Sequence, residues 1–186
     1  MVTIRTFIAI HLTEEVRRGI GRAIEVLKPH TRDIRWVPLE NLHLTLRFLG
    51  DVEEGRMPEV HQAVMAAAAE MMPFALRLGH FGAFPGLSRP RVLWIGMEGD
   101  VEALRELQQQ VSEALVRRGF PDEDKPFSPH LTVGRTMRDR RASVQASPTV
   151  AEPGPEMVVR DVFVMKSDLH PDGPVYTSLF KVALKM

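Results

Sequence analysis

The period of the apolar positions changes several times along this chain, and each change marks an element. Residues 6–10, "TFIAI", favour a β-strand. Thr13 then stands where it can cap a helix. Glu14 and Glu15 fall in the first turn, where the helix dipole favours negative charge, and Val16, Ile20, Ala23, Ile24 and Leu27 follow helical spacing until Pro29. Residues 42–49, "LHLTLRFL", alternate instead. This predicts a strand with Leu42, Leu44, Leu46 and Phe48 on one face and His43, Thr45 and Arg47 on the other, ended by Gly50.

An Ala- and Met-rich helix from about Pro58 to Met71 leads to another strand, "FALRLGHFG", and the order then repeats. "RVLWIG" is a strand, Asp100 can cap a helix, and Val101, Leu104, Leu107, Val111, Ala114 and Leu115 form its stripe. A charged, proline-rich loop, "FPDEDKPFSP", gives way to the strand "HLTVGR". Residues 137–155 read as a loop with room for one helical turn, "EMVVRDVFVMKSDL" as one strand, and "HPDGP" as the turn of a hairpin closed by "VYTSLFKVALKM".

Phe7 precedes His43 by 43 − 7 = 36 positions, and Trp94 precedes His130 by 130 − 94 = 36. The equal spacing predicts a duplicated strand–helix–strand unit within a single α+β, bilobed domain. The first repeat would span about 1–84 and the second about 85–186, with exchange of strands between lobes allowed.

Composition narrows the chemistry. The chain of 186 residues is long enough for one compact domain with a core. It has no cysteine, which removes disulfides, thiolate catalysis and Cys-based zinc sites. No apolar run approaches the roughly 20 residues that span a bilayer, and the amino terminus lacks a signal-peptide pattern, so a cytoplasmic protein without membrane association is expected. Lys+Arg and Asp+Glu both total 24. That balance argues against a broad basic surface that would neutralise many phosphates along a duplex, and leaves room for a local site for one or two phosphates. A longer track, if present, would lie at the Arg-rich run "RTMRDRR", residues 135–141.

Two strands carry the same pattern, "HLTL" at 43–46 and "HLTV" at 130–133. Residues i and i+2 of a strand share a face, so each presents an imidazole beside a hydroxyl. Two imidazoles across a cleft can divide acid and base work near neutral pH, and two threonine hydroxyls can donate to phosphate oxygens. A lone His on a strand is more often structural, but a pair in equivalent positions is poorly explained by coincidence. His11, His30, His61, His80 and His170 show no metal-binding spacing and are read as structural or solvated.

With these motifs the chain resembles the two-histidine phosphoesterases, in the RNA 2′,3′-cyclic phosphodiesterase branch once named 2′-5′ RNA ligase (LigT/ThpR). The flanks "RTFIAI", "WVPLENLHLTLRFLG", "FGAFPGLSRPRVLWIG", "FSPHLTVGR" and "SDLHPDGPVYTSL" extend the likeness over nearly the whole chain. The resemblance implies two antiparallel sheets meeting at a cleft. It also implies metal-independent opening of a 2′,3′-cyclic phosphate at an RNA 3′ end to a 2′-phosphate, with no cofactor. His43 would be the proton donor and His130 the acceptor, with Thr45 and Thr132 binding phosphate. Arg135 matches the arginine closing the second motif, and Gly134 stands where alanine is frequent.

An ideal strand would point Arg135 away from the histidines, so reaching the cleft requires a bulge or a strand end. Phe7 and Tyr176 are candidates for base or ribose contact, as is Arg47 from the His43 face. Core packing accounts for Phe48 and Trp94. The expected partners are RNA 3′ ends or nucleotides bearing a cyclic phosphate, with no obligate protein partner and a monomeric chain. The alternatives are RNA ligation as the main activity and a non-catalytic module that binds RNA ends.

Overall fold

A computed structural model describes residues 2–124, 126–138, 140–145 and 154–185. In chain order the elements are β1 (Thr3–His11), α1 (Glu14–Leu27), β2 (Thr31–Arg32), β3 (Ile34–Trp36), β4 (His43–Glu53), α2 (Met57–Ala68) and β5 (Phe74–Phe84). They continue as β6 (Val92–Gly99), α3 (Val101–Val116), β7 (His130–Thr136), β8 (Ser143–Val144), β9 (Glu156–Val159), β10 (Asp161–His170) and β11 (Gly173–Ala183).

The strands form two antiparallel sheets, ordered β11-β10-β1-β4 and β3-β7-β6-β5-β9, and β2 pairs with β8. Each sheet draws strands from both halves of the sequence. β4 and β7, the strands that begin with the two motif histidines, lie against each other where the sheets meet. Helix α2 packs on α3 and on β10 and β11, α3 reaches β4 and β5, and α1 touches β9.

The helices follow from their sequence patterns. Thr13 caps α1, its side chain accepting from the Val16 amide at 3.4 Å, and Val16, Ile20, Ile24 and Leu27 are buried. Helix α2 stops at Ala68, three residues short of the expected end. Asp100 precedes α3 but makes no side-chain cap. Its carboxylate accepts instead from the Ala75 amide at 2.9 Å, and its own amide donates to the Ala75 carbonyl, so it ties the helix start to β5.

Two stretches depart from expectation. "EMVVRDVFVMKSDL" is two strands in different sheets, β9 on β5 and β10 on β1. The buried positions change phase between them, Met157 and Val159 in one and Val162 and Val164 in the other. Within 137–155, Ser143 and Val144 form β8 on Thr31 and Arg32, and the expected helical turn falls partly on residues 146–153, which lie outside the described residues.

The third departure concerns β4. Ile8 pairs with Arg47 but Ala9 pairs with Thr45, so Leu46 is the extra residue of a β-bulge. Past it the alternation inverts. Arg47 joins Leu44 and Leu46 on the buried side at 2% exposure, whereas Phe48 turns outward at 46% beneath the Arg5 guanidinium. Arg47 donates to Ser112 Oγ at 2.9 Å, to Asp122 at 3.3 Å and to the Pro121 carbonyl, and so joins β4 to α3 and the loop after it. Arg47 is a buried, charged donor, and removing it deletes hydrogen bonds of a kind that is generally worth about 1.5–3 kcal/mol. Arg47→Ala is therefore expected to lower stability by about 2–3 kcal/mol in urea unfolding, and the Phe48→Ser variant by far less.

Candidate active site

The second motif strand carries the same irregularity. Leu93 pairs with Gly134 and Trp94 with Thr132, which makes Val133 the extra residue. Leu46 and Val133 are both the fourth residue of their motifs. In β7 the bulge puts Val133 and Gly134 together on the buried side and returns Arg135 to the face of His130 and Thr132. A Cβ at Gly134 would stand 2.8 Å from Ile34 Cγ2 and 3.3 Å from the Trp36 ring, so β3 packs where an alanine methyl would go.

His43, Thr45, His130, Thr132 and Arg135 converge on one cavity of about 130 Å³, completed by Val37, Asn41 and Tyr176. Liquid water occupies about 30 Å³ per molecule, so this space suits a phosphate rather than a whole nucleoside. A larger cavity of about 570 Å³ adjoins it and shares Val37, Asn41, Arg135 and Tyr176. Arg35, Trp36, His170 and the turn Pro171–Pro174 complete its wall with Pro38 and Val175.

Both histidines are held by one local device. His43 Nδ1 donates to the Asn41 carbonyl at 2.8 Å, and His130 Nδ1 donates to the Ser128 carbonyl at 2.6 Å, each two residues upstream. A carbonyl can only accept, so the Nδ1 proton is fixed and Nε2 is left as the atom that gains or loses a proton. Asn41 also donates from its side chain to the Pro174 carbonyl at 3.1 Å, which ties the β10–β11 turn to the cavity rim.

The surroundings of the two imidazoles differ. His43 lies over Phe7, ring centroids 4.7 Å apart, and edge-on to Tyr176 at 5.0 Å. Burial pushes its pKa below that of an ordinary imidazole; the Asn41 carbonyl acts against this, and His11 and Arg17 add to it. Tyr176 is pushed up by burial, with Arg135 and Arg5 opposing, and so stays a neutral hydroxyl. His130 stands edge-on to Phe84 at 5.2 Å and to Trp94 at 6.4 Å.

Of the residues singled out from the sequence, His43, His130, Thr45, Thr132, Arg135 and Tyr176 are together at the cavity. Phe7 is 3% exposed, beneath His43 and Tyr176, and supports them instead of facing the space. Arg47 is on the far side of β4 because the bulge at Leu46 turns it there. Asn41 and Ser128 were not singled out; their shared position two before each motif histidine is their only mark in the sequence. His11 stacks on Phe163 at 3.7 Å and His61 on Phe180 at 4.3 Å. Among the described residues no three His, Asp or Glu side chains gather as metal ligands would, and no helix is long and apolar enough to cross a membrane.

Paired histidine and threonine motifs on facing strands are the pattern of the two-histidine phosphoesterases, and comparison with known proteins shows the family. Residues 14–171 match the model of the 2′-5′ RNA ligase superfamily, and the chain belongs to that family. It is 34% identical over 180 residues to the RNA 2′,3′-cyclic phosphodiesterase of Methanothermobacter thermautotrophicus, covering 95% of this chain and 96% of that one. It is 36% identical over 187 residues to the Thermus thermophilus enzyme of the same name, covering 97% and 90%. The crystal structure of E. coli LigT complexed with 3′-AMP superposes with a TM-score of 0.76 at 28% identity over 99% of both chains. With such coverage the protein is a phosphodiesterase, and the expectation of an α+β LigT-like fold is met.

The depressed pKa of His43 has a measurable consequence. An anion bound in the cavity favours the imidazolium and opposes the effect of burial. In NMR titrations assigned with His43→Ala, His43 is expected to titrate below about 6.5 in the free protein and at higher pH with saturating inorganic phosphate. A pKa that phosphate leaves unmoved would mean that the anion does not sit beside this ring.

Proposed function

We propose that the protein hydrolyses the 2′,3′-cyclic phosphate at RNA or nucleotide 3′ ends to a 2′-phosphomonoester, by metal-independent acid and base catalysis. The observation that carries this reading is the pair of imidazoles, each with Nδ1 committed to a backbone carbonyl, sharing one phosphate-sized cavity with Thr45, Thr132 and Arg135. The likeness to a protein crystallised with 3′-AMP supports it.

The cyclic phosphate lies among Thr45, Thr132 and Arg135, whose donors meet its non-bridging oxygens as negative charge builds there. Water attacks phosphorus and gives a proton to neutral His130 at Nε2. The P–O3′ bond breaks, and the 3′ oxygen takes the proton from Nε2 of protonated His43. The products are a 2′-phosphate and a free 3′-hydroxyl, with the proton moved from one imidazole to the other. Proton exchange with solvent restores the starting state. No residue is acylated or phosphorylated, and no carboxylate of a described residue lines the cavity to ligate an ion.

The terminal nucleoside extends into the adjoining cavity, where Trp36 and Tyr176 supply aromatic surface and Arg135 stands at the junction with the phosphate. Burial of His43 suits an acid that is charged chiefly when the anionic substrate is present. This coupling keeps the proton in reserve until there is a leaving group to receive it.

Incubation with 2′,3′-cyclic nucleotides in excess EDTA is expected to yield the 2′-phosphate; a 3′-phosphate, or loss of turnover restored by a divalent metal, would overturn the reading. Replacement of His43 or His130 by Ala should each cost roughly 10²–10⁴-fold in rate. A substrate with sulfur in place of the 3′ oxygen loses a thiolate that needs little protonation. It should largely rescue His43→Ala and leave His130→Ala impaired. The opposite pattern would reverse the two roles.

A further inference from the structure

The turn that joins β10 to β11 walls the larger cavity, and its Pro171 and Asp172 are exposed. Among the described residues one side-chain hydrogen bond reaches this turn, from Asn41 Nδ2 to the Pro174 carbonyl at 3.1 Å. An exposed turn with so few anchors is loose by itself, and each contact that a bound molecule adds stiffens it.

Asn41 is anchored on its other side as well. Its amide donates to the Pro38 carbonyl at 2.9 Å, which closes the short turn Leu39–Asn41, and its carbonyl accepts from His43 Nδ1 at 2.8 Å. One residue thus holds the hairpin turn by its side chain and the imidazole by its backbone. A second path joins the same partners. Tyr176 follows Pro174 on β11, stands edge-on to His43 at 5.0 Å, and lines both cavities. Asn41, Pro174, Tyr176 and His43 therefore form a closed ring where the two cavities meet. His130 has no counterpart to this ring. Ser128 supplies the carbonyl, but its side chain makes no hydrogen bond among the described residues, and neither Ser128 nor His130 lines the larger cavity.

We propose that Asn41 is a positioning residue: a nucleoside that fills the larger cavity fixes the turn, and Asn41 passes that constraint to the His43 imidazole. The proposal rests on the reading of His43 as the acid and of the larger cavity as the nucleoside site. It adds that recognition of the nucleoside appears in kcat and not only in binding, because contacts remote from phosphorus are used to align the acid. Only the acid is coupled in this way. The base, on the opposite strand, is ready whether or not a nucleoside is bound.

Asn41→Ala keeps the backbone carbonyl and deletes only the tether. On a 2′,3′-cyclic nucleotide kcat should fall roughly 10-fold, a part of the roughly 10²–10⁴ that a general acid contributes, with KM changed by less than about threefold. On the substrate with sulfur at the 3′ position, which needs little protonation, the loss should shrink below about threefold. Equal losses on both substrates, or a raised KM with kcat unchanged, would overturn the proposal and leave Asn41 a mere wall. Pro174→Gly loosens the same link from the turn. It should show the same sulfur rescue, and in a double-mutant cycle the two losses should not multiply; losses that multiply would overturn the proposal.

Absence of turnover in the unaltered protein would overturn the catalytic reading alone, and NMR of His43 then decides whether the coupling exists. The charged and titratable groups around this ring are His11 on β1, Arg17 on α1, Tyr176 on β11, and His130 and Arg135 on β7, all unaltered in the variant. Saturating nucleoside 2′-phosphate should move the His43 ring signals further than saturating inorganic phosphate does, and Asn41→Ala should abolish the difference. Equal shifts in the unaltered protein, or a difference that survives the substitution, would overturn it.

Discussion

One extra residue in each of two strands governs how this site is built. Leu46 and Val133 are bulged against β1 and β6, and each is the residue that follows a motif threonine. Without the bulges the strict alternation of a strand would continue. Arg47 would share the cleft face with His43 and Thr45, and Arg135 would point into the packing against β3. With them, each strand keeps an imidazole and a hydroxyl toward the cleft and then turns two consecutive residues inward. In β4 the second of these is Arg47, which fastens the strand to α3; in β7 it is Gly134, which lets Ile34 and Trp36 close over it. The same irregularity thus yields a structural arginine in one strand and a cleft arginine in the other.

The two halves of the site are alike in backbone and unlike in environment. Each imidazole is oriented by a carbonyl two residues before it, so the backbone treats the two alike. The difference comes from neighbours. Phe7 and Tyr176 enclose His43, and burial favours its neutral form, while His130 meets Phe84 and Trp94 only by their edges. Burial thus favours neutral His43 in the free protein, so the donor role proposed for it depends on a bound anion to restore the imidazolium.

Most of the site was legible because its chemistry is local to the sequence. A His-x-Thr pattern on an alternating stretch fixes which side chains share a face over three residues, and its recurrence in two strands indicated that the faces meet. Tyr176 was legible as an aromatic in a closing hairpin. Phe48 and Arg47 were not, since their direction depends on a bulge that the apolar pattern does not register: Leu44, Leu46 and Phe48 read as one uninterrupted stripe. For Arg135 the requirement of a bulge could be stated in advance, because a functional role and ideal alternation contradicted each other. The split between β9 and β10 was legible in retrospect from the change of phase at Arg160, whereas the pairing of β9 with β5 depends on tertiary contacts. Asp100 shows the same limit in a helix cap: the residue type was right for capping, but a strand amide outcompeted the helix for its carboxylate.

The distribution of charge completes the physical picture. Twenty-four basic and twenty-four acidic residues cancel over the chain, and a formal count therefore conceals any local field. Acidic partners neutralise Arg47, Arg56, Arg77, Arg105 and Arg117 where these serve packing or helix surfaces. Arg89, Arg91, Arg140 and Arg141 are gathered around one cavity at the end of β7 with no such partner among the described residues. Interactions between exposed charges fade over roughly 10 Å at moderate salt, so the field close to these side chains is set by their own charges and not by the balanced total. A chain with no net charge can in this way carry a local cationic patch that the formal count does not register.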